Sequence, residues 1–279
     1  MPIDYEHLMS LRIRGERVQY ADRDTLLYAL AIGLGRDPAR RPEGAYLGDP
    51  AGLKTVPTLA SILVGSQLLD DCGWKSGEVV LRDESLHLDR PLDEAGSLLL
   101  DTDVASVLDR GSAEGALITQ ESRARRERDG VALFTVRRTF LARADGGFGG
   151  PRGRGETAPA GTRPVPPRRP DMLVDCDTRP DQALLFSLAA GRDRPWQAPA
   201  AGLGGLALQG IACLAVLREI CEYDHTLIRD FACRLTGFAR PGERLVAELW
   251  QDANVVACRL RAPDRDALVL DEGRCVLAA

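Results

Sequence analysis

A chain of 279 residues is long enough for one large domain or two of ordinary size. Its 44% hydrophobic and 28% charged residues suit a packed soluble fold, and a net charge of −5 argues against nucleic acid as the main partner. No apolar run approaches the roughly 18–20 residues that a membrane-spanning helix needs, so no membrane partner is expected. The N-terminus, Met1-Pro-Ile-Asp-Tyr-Glu6, lacks the basic head and apolar centre of a secretory signal. Seven cysteines (72, 176, 213, 221, 233, 258 and 275) are odd in number, with no C-x-x-C pair. That pattern predicts reduced, buried thiols and a cytoplasmic location, with no zinc site and no cofactor.

In chain order, the first predicted element is a short apolar helix, Leu26-Leu-Tyr-Ala-Leu-Ala-Ile-Gly33, entered through Asp22-Arg-Asp24. Gly33-Leu-Gly35 marks the end of that helix; no strand precedes it, so it is not a dinucleotide fingerprint. Strand-like segments follow at Glu78–Leu81, Ser85–Leu88, Gly96–Leu108, Gly115–Ser122 and Val131–Ala142, with a turn at Asp129-Gly130. From Gly146 to Pro170 glycine, proline and arginine dominate, which predicts a solvated linker.

Beyond the linker, Thr178 and Asp181 have the spacing of a capping box, with Pro180 tolerated in a first turn. The helix they open, Leu184-Leu-Phe-Ser-Leu-Ala-Ala-Gly191, matches Leu26–Gly33 without a gap, which points to duplication. Both are apolar nearly all round and are expected to be buried. A second helix is predicted over Gln209–Glu222, then strands at Phe231–Phe238, Arg244–Gln251, Val255–Arg261 and Ala267–Leu277, with a turn at Pro241-Gly242. A central helix followed by an antiparallel sheet, twice over, describes an α+β double hot-dog. Its expected divisions are residues 1–145, a linker over 146–171, and residues 172–279.

Several stretches make the chain resemble the MaoC-type (hydratase-2) enoyl-CoA hydratases, over about Tyr20 to Leu277. They are Tyr20–Gly35, Leu53-Lys-Thr-Val-Pro-Thr58, Gly146-Gly-Phe-Gly-Gly150, Thr178–Leu188 and Pro241-Gly-Glu243. The resemblance implies a double hot-dog fold. It also implies (R)-specific addition of water to a trans-2-enoyl thioester, performed by an aspartate and a histidine in a G-D-x-N-P-x-H-x-D motif.

This chain departs from the pattern where the chemistry sits. Aligning Pro195 with the motif's proline puts Gln197 at the histidine and Arg192 at the aspartate. Counting without a gap from Leu188 puts Gly191 and Trp196 there instead. Gln197 exchanges no proton near neutral pH, and Arg192 is permanently charged. Asp193 is the one titratable acid left in the motif, and Arg192 and Arg194 beside it favour its ionised form. The family's P-I-L-H-G corresponds to Leu206-Ala-Leu-Gln-Gly210, with Gln209 in place of histidine, and its H-G-E-Q to Leu81-Arg-Asp-Glu84. The stretch between Gln197 and Gln209 is also shorter than usual.

The catalytic candidates are therefore Asp193, Gln197, Arg192 and Gln209. Trp196, Arg194, Tyr28 and Gly210 are the candidates to contact substrate. By the resemblance, the Gly210 amide at a helix N-terminus would polarise the thioester carbonyl. His87 alternates with Leu86 and Leu88 as a packed or surface strand residue, His225 reads as a helix C-terminal cap, and His7 lies ahead of the fold.

The leading expectation is a repurposed enzyme of specialised metabolism. Its pocket would fold an acyl or polyketide-type polyene, thioester-linked to CoA or a carrier protein or not linked at all, for a shape-guided cyclisation. The alternatives are a non-catalytic acyl-binding or scaffolding partner of an active homologue, and a residual hydratase or dehydratase. Pairing as a homodimer is an open expectation.

Overall fold

The computed structural model describes residues 3–48, 52–65, 68, 72–74, 78–152, 161–191 and 202–278. The first half runs α1 (Tyr5–Ser10), β1 (Arg12–Tyr20), α2 (Asp22–Ala31), α3 (Leu59–Leu63), β2 (Val79–Leu88), β3 (Gly96–Asp109), β4 (Ala116–Arg126) and β5 (Ala132–Ala142). The second runs β6 (Met172–Asp175), α4 (Gln182–Ala190), α5 (Gly205–Glu219), β7 (Ile228–Leu235), β8 (Val246–Asp252), β9 (Val255–Ala262) and β10 (Ala267–Leu277). No described helix is long and apolar enough to cross a membrane.

The ten strands of the described residues form one sheet in the order β1-β3-β4-β5-β2-β7-β10-β9-β8-β6. Numbered from its own outer edge, each half therefore reads first, third, fourth, fifth, second. The halves meet where β2 pairs antiparallel with β7, from Asp83 opposite Arg234 to His87 opposite Asp230. The fold is the double hot-dog, and the repeated strand order carries the duplication suggested by the matched octamers. Those octamers become the last two turns of α2 and α4, which pack on each other.

The second half wraps its sheet around α5, whose residues Leu206 to Leu217 are all buried. In the corresponding place, between the α2-type helix and the second strand, the described residues of the first half form the five-residue α3. Its end has a local cause. The Arg138 guanidinium, on β5, donates to the Ser61 and Val64 carbonyls, and the Gln120 amide, on β4, donates to the Gly65 carbonyl at 3.2 Å. Sheet side chains thus take up the carbonyls that a longer helix would have satisfied internally.

Some predicted elements shift. β1 was not anticipated, because Arg12, Arg14, Glu16 and Arg17 read as a polar segment; they belong to an outer strand, where charge discourages edge pairing. Gly15, at φ +64°, sits where the β1–β3 register slips, and its amide donates to Asp101. The two segments predicted around residues 78–88 are one strand, continuous through Arg82-Asp83-Glu84. Those charges are tolerated inside because Arg234 reaches Asp83 at 2.9 Å and Arg138 reaches Glu84 at 2.8 Å.

The strand predicted over Phe231–Phe238 starts and stops three residues earlier, as β7. α3 and β6 were also not foreseen. α4 is not buried all round: Gln182, Phe186 and Ala190 face inward, while Leu184 and Leu188 on the opposite side are exposed. Thr178 does not cap it. The Thr178 hydroxyl instead donates to the Arg240 and Glu243 carbonyls, and Gln182 accepts the Arg179 amide. His225 likewise opens a 3₁₀ turn after Asp224, several residues beyond the end of α5.

The described residues of the Gly/Pro-rich segment are mostly exposed yet fastened to the fold. Asp109 accepts the amides of Gly147 and Gly149 at 2.7 and 2.8 Å, and the Trp250 indole donates to the Arg168 carbonyl at 2.8 Å. All seven cysteines are buried.

Candidate functional site

The two halves contribute α2, α3, α4 and α5 to one junction. Its frame is built from buried polar side chains. Gln182 on α4 donates to the Ala31 carbonyl at the end of α2 at 3.1 Å, locking the helix pair in register. Glu43, 1% exposed, accepts the Gly35 amide at 2.6 Å and the Arg218 guanidinium of α5 at 2.8 Å. The Tyr28 ring meets Phe186 with centroids 6.2 Å apart.

Tyr28, 1% exposed, points from α2 toward α5. Burial pushes its hydroxyl well above the ordinary phenol range, opposed by the side chain of Thr58 at the start of α3. It therefore stays protonated at any physiological pH. Thr58 also meets the Cys213 thiol on α5, which burial holds protonated in the same way. One turn before Cys213, Gln209 is fully buried, and neither its Oε1 nor its Nε2 has a hydrogen-bond partner.

Gly210 occupies the tightest point of the junction. A Cβ there would stand 2.5 Å from the Ile32 side chain and 2.8 Å from the Tyr28 hydroxyl. Glycine is required so that α2 can approach α5. Its expected position at a helix N-terminus is corrected by the structure, because α5 begins at Gly205. In the sixth position of an α-helix an amide is already committed to the backbone ladder, whereas only the first few remain free. Gly204-Gly205 starts the helix a turn earlier than the sequence suggested.

Of the remaining candidates, Arg192, Asp193, Arg194, Trp196 and Gln197 lie outside the described residues. Their segment leaves α4 at Gly191, whose φ of +79° ends the helix, and rejoins the described chain before Leu203, which bridges to Ala239. The structure brings Tyr28, Gln209 and Gly210 together where α2 meets α5. Thr58, Glu84 and Arg138 were missed as neighbours of this site. The Glu84 carboxylate is fully buried, gives Oε2 to Arg138, and leaves Oε1 without a partner.

His87 is placed on the outer surface, its Nδ1 2.7 Å from an Asp230 carboxylate oxygen across the seam of the halves. His225 packs edge-on against Tyr46, and burial lowers its pKa. Neither reaches the junction of α2 and α5. Among the described residues no cluster of three His, Cys, Asp or Glu is placed to hold a metal ion.

No protein-family model matches the chain. It is 31% identical over 289 residues to the enoyl-CoA hydratase ChsH3 of Mycobacterium tuberculosis, covering 98% of both chains. It is also 31% identical over 245 residues to 3-hydroxyacyl-thioester dehydratase Y of the same organism, across 84% of this chain and 82% of that one. Among solved structures, a MaoC-like dehydratase from Phytophthora capsici superposes with a TM-score of 0.79 at 21% identity, covering 99% of this chain and 98% of the other.

Proposed function

Because the chain belongs to the MaoC-like enoyl-CoA hydratase/dehydratase family, we propose that it interconverts a 2-enoyl thioester and its 3-hydroxyacyl counterpart by adding or removing water. The observation that carries this reading is the 31% identity to an enoyl-CoA hydratase, sustained over 98% of both chains. The cyclisation of a polyketide-type polyene, the leading expectation from sequence, gains no support from the relatives, which are hydratases and dehydratases. An acyl thioester is the substrate class, with CoA the carrier that the enoyl-CoA hydratase relatives point to.

The chemistry must be done without the usual aspartate–histidine pair. In hydration, water oxygen bonds to C3 of the conjugated thioester, the double bond's electrons move to C2, and C2 takes a proton. A single carboxylate on one face of the double bond can accept the proton from water and return it to C2. Asp193 is assigned that role, and Gln197 orients by hydrogen bonding alone. A positioned acid–base group contributes about 10²- to 10⁴-fold in rate, so turnover should fall short of a dyad-bearing relative by a factor of that size.

The test is hydration of a trans-2-enoyl-CoA by the purified protein and by Asp193→Asn, with an active relative measured alongside. The expected result is slow turnover in the wild type that drops to background in the variant. Full turnover in Asp193→Asn would remove Asp193 from the mechanism. A second reading, thioester binding without turnover, is favoured by one observation: neither Arg192 nor Gln197 can exchange a proton near neutral pH. Binding of enoyl-CoA with no product would select it.

A further inference from the structure

The Gln209 side chain is fully enclosed, and both of its polar atoms lack a partner. Such a group is costly: burial strips water from a donor and an acceptor, and nothing repays it unless something binds there. Buried polar side chains in folded proteins are overwhelmingly satisfied, so an exception asks for an explanation. The surroundings supply one. Gln209 shares an α5 face with Cys213 at the i, i+4 spacing, and Cys213 meets Thr58. Thr58 in turn meets Tyr28, whose hydroxyl lies 2.8 Å from the point where a Gly210 Cβ would stand. The Ser61 hydroxyl, one turn after Thr58 on α3, also lacks a partner.

Around Gln209 stand the neutral Tyr28 and Thr58 hydroxyls and the Cys213 thiol, with the buried Glu84 carboxylate near Tyr28. An amide needs a donor for its oxygen and an acceptor for its nitrogen, and a hydroxyl oxygen is both at once. We propose that Gln209, with Tyr28 and Thr58, forms a subsite for a hydroxyl group: the water that is added, or the 3-hydroxyl of the thioester that results. The proposal rests on the thioester reading above and gives Gln209 a binding role, in a place where the Gly210 amide is already tied into its helix.

The volume-conserving variant Gln209→Met removes both polar atoms, and Gln209→His restores one donor and one acceptor. Two measurements are made on the full-length protein: thermal unfolding without ligand, and affinity for a 3-hydroxyacyl-CoA against the saturated acyl-CoA that lacks only the hydroxyl. The subsite predicts that the wild type prefers the hydroxylated ligand about tenfold, the worth of one to two hydrogen bonds. Gln209→Met should erase that preference and lower the unfolding temperature by about 2–4 °C, and Gln209→His should recover part of both. A fall in unfolding temperature assigns the subsite to water in the resting protein, and a lost preference assigns it to the substrate hydroxyl.

If Gln209→Met instead unfolds at a higher temperature and keeps the ligand preference, the amide is only a buried penalty and the proposal is overturned. If the wild type binds neither thioester, the thioester reading fails, and the thermal measurement still decides. A lower unfolding temperature in Gln209→Met then upholds a water subsite, and a higher one removes it.

Discussion

Arg138 is 1% exposed and makes its contacts inside the sheet, with the Glu84 carboxylate and with the carbonyls that end α3. Two opposite charges withdrawn from water offset each other only while both are present. Removing one leaves the other buried and uncompensated. Arg138→Met is therefore expected to cost about 3–5 kcal/mol in denaturant unfolding. The double variant Arg138→Met/Glu84→Leu should cost far less than the sum of the two single changes, since no bare charge remains. Additive losses would show that the pair does not act as a unit. The same logic separates this pair from the many arginine–carboxylate contacts on the outer faces, such as Arg17–Glu127, which are exposed and each worth little.

At the scale of elements, Asp109 shows how one side chain shapes a loop. Sitting at the end of β3, it accepts amides from Gly111, Gly147 and Gly149, and so fastens the chain that follows β5. Burial raises its pKa, but the three amide donors outweigh that and hold it below the usual aspartate value. A carboxylate with a depressed native pKa contributes stability above its unfolded value of about 4, and loses it as pH falls through the lower native value. Asp109→Asn should therefore destabilise by a constant amount at neutral pH, and the gap from wild type should close below about pH 4. A gap independent of pH would contradict the assignment.

How far such elements were legible in the sequence varied with what each signal measured. The apolar octamers gave α2 and α4, because hydrophobic runs closing on glycine report local conformation. Burial was less legible: Leu184 and Leu188 are apolar yet exposed, since α4 packs by one face alone. The start of α5 was misplaced because Gly204-Gly205 reads as a break, whereas the Leu208 amide bonds the Gly204 carbonyl and opens the helix there. β1 was missed because its charges satisfy partners on a neighbouring strand far along the chain. At the site, Gln209 and Gly210 were identifiable by position in a motif; Thr58 and Glu84 close two stretches of the resemblance without being singled out, and Arg138 carries no local signature.

For the molecule as a whole, two copies of one strand order share a sheet, and they differ most in the element between first and second strands. α5 fills the second half with a buried helix, while α3 stops after five residues and leaves polar side chains of β4 and β5 to close its end. The junction between them gathers Tyr28, Thr58, Gln209 and Gly210. Slow water chemistry on an acyl thioester is what the proposed function assigns to this scaffold. The most direct check is to incubate a trans-2-enoyl-CoA with the protein in heavy-oxygen water and weigh the products by mass spectrometry. The expected product is a 3-hydroxyacyl-CoA carrying one heavy oxygen at C3, formed faster than in a protein-free control. Recovery of the enoyl-CoA unchanged, at the rate of that control, would contradict it.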